Sequence, residues 1–342
     1  MKLDRRGIRD EAAGEPPGAS KLKATACLGG VSLERGVPIE ELHDYIKESE
    51  NVVWLDVQDP GPSELAMLID EFGIHPLALE GVCLGRRRPK VDEYKGYALL
   101  VVYAAVPGDD AGVLRTTELD LFIGRNFLVS VHRGRVPALE EASARWTRGG
   151  ARLRDGGAFL VFAVMDALVD SFAPLPADLE EDVDEMEIAV FSRPDEESVR
   201  ALLKLKRTLA SLRHELHPLR EIFQALCRRD RPFFNGSGEA YLQDVHDHLL
   251  RILDVLDALR DRADAVMDAT LAIGSHRLNK TMKRLAVITV AMATVGSVFG
   301  AYGMNFQSLP LSGSPWGFWL VAGGTITLVT APLLVGWLRE WW

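Results

Sequence analysis

The chain has 342 residues and a formal net charge of −10, an acidic balance that argues against a general nucleic-acid binder. Its three cysteines, Cys27, Cys83 and Cys227, are scattered and form no CxxC pair. They give neither a disulfide framework nor a zinc signature, and they suit a reducing compartment.

Residues 1–23 are rich in charge, Gly and Pro and lack an apolar run. They read as a disordered tail, neither a signal peptide nor a span. Residues 24–150 mix short β-rich runs with amphipathic segments and are expected to form a cytoplasmic α/β domain. Val52–Val57 and Tyr97–Val106 read as buried strands, and Leu119–Ile123 with Asn126–Val131 as a hairpin around Gly124 and Arg125. Pro62–Phe72 and Val136–Trp146 read as helices. No GxGxxG, phosphate loop or nucleophile elbow is present.

The strand signals stop at about Gly157, so residues 151–284 read as a helical region. Ala177–Val190 is an acidic helix, with seven acids in the ten positions from Asp178 to Glu187. It reads as a solvated helix facing the basic residues Lys204, Lys206, Arg207 and Arg213 of the next helix, Glu196–Arg229. After a break at Arg231–Gly236, one helical pattern runs without Pro from Glu239 to Ala301. At 1.5 Å per residue such a helix is roughly 90 Å long, and it must pack along its length on itself or on copies of itself.

From Leu285 to Leu338 there is no Asp, Glu, Lys or Arg. A polar turn interrupts this stretch once, which predicts two membrane spans, 285–301 and 316–338, joined by the loop 302–315. Arg277, Lys280, Lys283 and Arg284 crowd the start of the first span, Arg339 follows the second, and the loop has no basic residue. The positive-inside rule then puts both termini, including the short tail 339–342, in the cytoplasm. Trp316 and Trp319 at one end, with Trp337, Trp341 and Trp342 at the other, suit interfacial belts. A single hairpin encloses no lumen, so any conduction requires several copies.

The long helix carries Asp247, Asp254, Asp261 and Asp268 seven apart, with Asp257 and Asp264 between them. This spacing sets them on one stripe. Three readings stand: a solvated face, a clamp in which a divalent cation relieves repulsion between subunits, and a vestibule that concentrates cations. His75 stands alone, while His214 with His217 and His246 with His248 are pairs only, a weak metal signal. No catalytic triad is present, and no enzyme activity is expected.

Gly303, Met304 and Asn305 follow the first span directly. With Asn279-Lys-Thr-Met-Lys-Arg-Leu285 before that span and Gly300-Ala-Tyr-Gly-Met-Asn-Phe306 after it, the pattern resembles the CorA family of magnesium channels. The resemblance extends to Trp54-Leu-Asp-Val-Gln-Asp-Pro60, Phe72-Gly-Ile-His-Pro-Leu-Ala-Leu-Glu80 and Arg88-Pro-Lys-Val-Asp-Glu-Tyr94, and covers Ala24 to Trp342.

The resemblance implies a homopentameric funnel. An α+β cytoplasmic domain, an α/β sandwich, would lead into a long pore-lining helix and two C-terminal transmembrane helices. It implies Gly303, Met304 and Asn305 as the outer selectivity element. Asn279, Met282 and Leu285 become the cytoplasmic constriction, and Asp268 a pore-helix acid. Mg2+ would be both cargo and regulator; the stripe read from spacing, not the resemblance, offers Asp254, Asp257, Asp261, Asp264 and Asp268 as candidate regulatory ligands.

The chain departs from the family where Thr294 replaces a usual Pro and Gly296 a usual Thr. The loop after the motif has no acid, and Gly81 replaces the acid that usually follows Glu80. The expected function is passive Mg2+ influx across the cell (inner) membrane by a multi-pass protein. Its partners are other copies of itself, lipid and divalent cations, with no nucleic acid and no organic cofactor. The alternatives are a zinc, cobalt or nickel transporter of the same superfamily, and a non-conducting membrane-anchored cation sensor.

Overall fold

A computed structural model describes residues 21–85, 87–108, 114–192, 195–226, 238–304, 311 and 314–338. The chain divides into two compact units, one up to Ala265 and one from Val266.

The first unit is built on a seven-stranded mixed sheet. Its strands are β1 (Lys21–Leu28), β2 (Ser32–Arg35), β3 (Val52–Gln58), β4 (Lys90–Tyr94), β5 (Tyr97–Pro107), β6 (Leu114–Gly124) and β7 (Phe127–His132). The order is β2-β1-β3-β7-β6-β5-β4. Only β3 and β7 run parallel, with Val53 opposite Phe127 and Gln58 opposite His132; all other neighbours are antiparallel. Lys21, Leu22 and Lys23, expected in the tail, already belong to β1. The alternation Lys21-Leu-Lys-Ala is an edge-side strand pattern, and each residue pairs with β3.

Side-chain alternation separates the two faces. Val53, Leu55 and Val57 of β3, with Leu99 and Val101 of β5 and Phe122 of β6, belong to one core cluster. That cluster is closed by α1 (Leu42–Lys47), α2 (Pro62–Phe72) and α3 (Pro76–Leu84) through Leu42, Leu68, Phe72, Ala78 and Leu79. These helices start on local signals. Pro62 and Pro76 stand in the first turn, the Glu64 carboxylate accepts from Gly61 N–H at 2.8 Å, and His75 Nδ1 accepts from Leu77 N–H at 3.2 Å.

On the opposite face lie α4 (Pro137–Thr147), α5 (Gly157–Ser171) and α7 (Glu196–Leu226). There Trp54 of β3 meets Trp146 of α4 edge-on, with ring centroids 6.0 Å apart. α5 buries ten of its 15 residues, so it belongs with the sheet. The break between residues 150 and 151 expected from the sequence falls inside this unit for that reason. α6 (Leu175–Ser192) packs with α7. The hairpin strand begins at Phe127, one residue later than expected; the side-chain amide of Asn126 donates to the carbonyls of Ile46 at 2.7 Å and Glu48 at 3.3 Å.

α8 spans Gly238–Tyr302, 65 residues, and α9 spans Gly317–Leu338. The second unit comprises the later part of α8, its turn and α9.

Candidate functional site

In the second unit, the most apolar window of α8 is 0% buried and that of α9 is 6% buried. Both are long and apolar enough to cross a membrane. A helix must satisfy its own polar groups in hydrocarbon, and the threonines here do so. Thr289 and Thr294 hydroxyls donate to the carbonyls of Leu285 and Val290, each at 2.8 Å. Thr294 has a backbone N–H, unlike the Pro that the resemblance led one to expect here, and α8 runs through this position as α-helix.

Asn279, Met282 and Leu285 all lie exposed on α8, with Met282 at 65% and Leu285 at 59%. Three residues apart, they form one oblique row, polar at the first position and apolar at the next two. At the far end, the Gly303 N–H donates to the carbonyls of Phe299 at 2.9 Å and Gly300 at 3.2 Å, and Met304 N–H to Ala301 at 3.4 Å. A Cβ on Gly303 would stand 3.3 Å from the Phe299 oxygen, so glycine lets the chain fold tightly onto the last turn. Met304 is exposed. Asn305, most of the loop after it, residues 339–342 and most of the N-terminal tail lie outside the described residues.

The aspartate stripe on α8 resolves into two rows. Asp257 lies 2.8 Å from Arg213 Nε and 3.8 Å from His217, and Asp264 lies 2.6 Å from Lys206. Asp254, Asp261 and Asp268 are exposed. Residues three apart differ by about 60° around a helix, which is enough to turn one row to α7 and the other to solvent. The acidic helix α6 also pairs with a cation outside α7. Arg262 of α8 pairs with Asp184 and Glu187, each at 2.6 Å. Among the described residues, no group of three or more His, Cys, Asp or Glu could hold a metal within one chain.

Gly81 lies beside a charged cluster that sequence reading missed. A Cβ there would run into the guanidinium of Arg87, so the arginine fills the space of the absent side chain. Arg87 Nε donates to Glu118 at 2.9 Å, its backbone N–H donates to Glu118 at 2.7 Å, and its Nη2 pairs with Asp120. Tyr103 donates to the Arg87 carbonyl at 2.8 Å. Burial pushes the Asp120 carboxyl up to about 7; Arg87 opposes this and Glu118 adds to it. The only sequence signal was the run Arg86-Arg-Arg88, which carries no periodicity.

A second buried network joins the parallel strands. Trp54 Nε1 donates to Ser130 Oγ at 3.0 Å, and Ser130 donates to Asp56 at 2.6 Å. His132 Nε2 lies 3.2 Å from the same Asp56 oxygen, with Nδ1 2.8 Å from the Gly134 carbonyl. The serine hydroxyl is spent on the carboxylate and is fully buried. It is not presented as a nucleophile activated by the histidine.

Residues 49–339 match the family described as CorA-like Mg2+ transporter protein. The cobalt/magnesium transport protein CorA of Thermotoga maritima is 29% identical over 275 residues, covering 80% of this chain and 78% of that protein. The solved structure of the CorA magnesium transporter from Methanocaldococcus jannaschii superposes with a TM-score of 0.72 at 24% identity, covering 91% of this chain and 96% of the other. The full-length CmaX structure gives 0.71 at 23% identity, covering 96% and 100%. These two likenesses establish the fold. With the family match extending over both units, the chain belongs to the CorA-like Mg2+ transporter family, a family of membrane transporters of divalent cations.

Proposed function

We propose that this protein is a passive Mg2+ influx channel of the cell membrane, assembled as a homopentamer with both termini in the cytoplasm. The observation that carries the reading is the row Asn279, Met282 and Leu285 on an exposed apolar helix that ends at Gly303 and Met304. One hairpin encloses no water, so the rows of several copies must face one another. Mg2+ sheds its water reluctantly. A ring of Asn305 amides hydrogen-bonds the hydrated ion without stripping it, whereas carboxylates would hold it longer. Met282 and Leu285 supply an apolar constriction that closes by dewetting. A divalent ion gains about 4.6 kcal/mol on entering a cell held about 100 mV negative inside, so no chemical energy source is required.

Closure by cytoplasmic Mg2+ fits the exposed aspartate row. Gathered around an axis, Asp254, Asp261 and Asp268 of neighbouring copies repel, and bound cations relieve that repulsion. Asp257 and Asp264 already have cations on α7, so they contribute less. Cobalt, nickel or zinc transport through the same pore is the second reading, favoured by the exposed thioethers of Met282 and Met304.

The test is ion uptake by liposomes containing the purified chain, with each metal in competition, for wild type and Asn305→Ala. The expectation is selective Mg2+ uptake by wild type and its loss in a variant that still assembles. Normal selective uptake by Asn305→Ala removes the amide ring from the mechanism. Absence of uptake of any ion by well-folded wild type leaves a membrane-anchored cation sensor.

A further inference from the structure

Most clustered cations in the first unit have an acid beside them: Arg87, Arg145, Lys206, Arg213 and Arg262 are all paired. The second unit differs. His276, Arg277, Lys280, Lys283 and Arg284 are exposed on α8, and no Asp or Glu occurs between Asp268 and Glu340. No acid therefore lies within helical reach of the four residues from Arg277 to Arg284. Among the described residues, His276, Arg277, Asn279, Lys280 and Lys283, together with Ala272 and Ile273, line a surface pocket of about 430 Å³.

Three features identify the occupant. The first is position: the uncharged span starts at Leu285, and Arg277 to Arg284 covers about 10 Å along the axis, comparable to the roughly 6 Å headgroup layer plus a turn beyond it. The second is direction. At about 100° per residue, the centre of the basic stripe lies about 160° around the helix from the centre of the Asn279, Met282 and Leu285 row. The centre of the stripe is thus turned away from the proposed conduction path, and Lys283 forms its edge nearest Asn279. The third is charge: four permanent cations and a histidine without acids complement a phosphate diester.

We propose that this stripe is a binding surface for acidic phospholipid headgroups, which seat the base of α8 at the membrane boundary. The inference rests on α8 being a membrane helix and, for its direction, on the pore-lining role of the opposite row. The lipid phosphate accepts from Lys280, Lys283 and Arg284, while the apolar residues that follow leave its chains in the bilayer. Each cation near an acidic surface contributes about a fivefold preference, and salt weakens it.

The test uses the full chain in mild detergent, offered phosphatidylglycerol and phosphatidylcholine in competition, with bound lipid counted by native mass spectrometry. Wild type is expected to retain phosphatidylglycerol preferentially. The triple variant K280Q/K283Q/R284Q is expected to lose that preference by roughly a hundredfold, and K280R/K283R to keep it. Should the triple variant not assemble, each single glutamine change must lower the preference about fivefold. Unchanged preference in the triple variant, or in all three single variants, overturns the proposal. So does displacement of the lipid by equimolar inorganic phosphate, which would make the surface a soluble-anion site. Mg2+ uptake is measured on the same preparations in phosphatidylcholine liposomes. Uptake without lipid preference overturns this inference alone, and lipid preference without uptake overturns the channel reading alone.

Discussion

The region beginning at α5 and the membrane ends of α8 and α9 have equally apolar 18-residue windows, yet 67% of the first is buried inside the protein against 0% and 6% of the others. Apolarity alone does not place a helix; what surrounds it does. α5 has a sheet to lie on, packing with β5, β7 and α4. It also has a polar edge, where Arg145 of α4 pairs with Asp166 and, at 2.7 Å, with Asp170, and His248 lies 3.3 Å from Asp170. From Ala269 onward α8 and α9 carry no acid through Leu338, and their large side chains, such as Ile288, Met292, Phe318 and Ile326, face outward. Those faces require partners outside the one chain: lipid and, in the assembly proposed above, other copies.

The sharpest way to break this contrast is to truncate one side chain in each region. Leu168→Ala in α5, where the residue is 1% exposed, should cost about 2–5 kcal/mol through lost burial and the cavity left behind. Ile326→Ala in α9, 62% exposed, should cost under about 1 kcal/mol in detergent. Thermal unfolding of the two purified variants decides; equal losses would mean that α9 is as tightly packed in the assembly as α5 is within one chain.

Next in size is a pH effect confined to the sheet region. Asp120 has its folded pKa raised to about 7 from 3.8 by burial, so between these values the folded state holds a proton that the unfolded state has lost. Its contribution therefore disfavours folding progressively as pH rises from about 4 to about 7, then levels off. The total is on the order of 4 kcal/mol. Below the lower value both states are protonated and the effect vanishes. Asp120→Asn should remove this component, so the difference in unfolding midpoint between variant and wild type grows over that pH range. A difference that stays constant with pH would mean that Arg87 holds the carboxylate ionised.

A smaller loss, about 2 kcal/mol, is expected for Arg145→Met, which leaves Asp166 and Asp170 facing each other without their guanidinium. Denaturant unfolding monitored by tryptophan fluorescence tests it, since Trp146 is adjacent in sequence and buried. An unchanged midpoint would show that α5 is held by its apolar face alone.

The aspartate rows give the smallest effect on stability and the most specific one. Replacing Asp254, Asp261 and Asp268 together by Asn should abolish Mg2+-dependent protection of the cytoplasmic region from protease. Replacing Asp257 and Asp264 should leave that protection and change stability by only about 1 kcal/mol. Equal protection of wild type and both variants would return the exposed row to a solvated face.

The periodic parts of the fold were readable from residues alone. β3 and β5 are near-continuous apolar runs, α2 opens on Gly61-Pro62, and α8 and α9 contain the uncharged stretch. β4, Lys-Val-Asp-Glu-Tyr, was legible only through family resemblance, because an edge strand open to solvent tolerates charge. α5 was not separated from the helices after it, because an apolar helix buried on a sheet has no contrasting face to give it a period. Of the candidate site, the row from Asn279 to Leu285 was legible as spacing, while Arg87 was not. It acts from a non-periodic loop on strand residues 31 and 33 positions away.

The sequence by itself determined where the chain can meet lipid and where it can carry charge, since both depend on composition over a stretch and on residue spacing along one helix. It also determined the heptad of aspartates. Only the tertiary structure decided which of those charges remain available. Arg213 and Lys206 pair with Asp257 and Asp264, Arg262 takes Asp184 and Glu187 of α6, and Arg87 occupies the space beside Gly81. The physical reason is range. Hydropathy and periodicity act through neighbours in the chain, whereas an ion pair needs two groups within about 4 Å, and the partners here come from different elements brought together by packing.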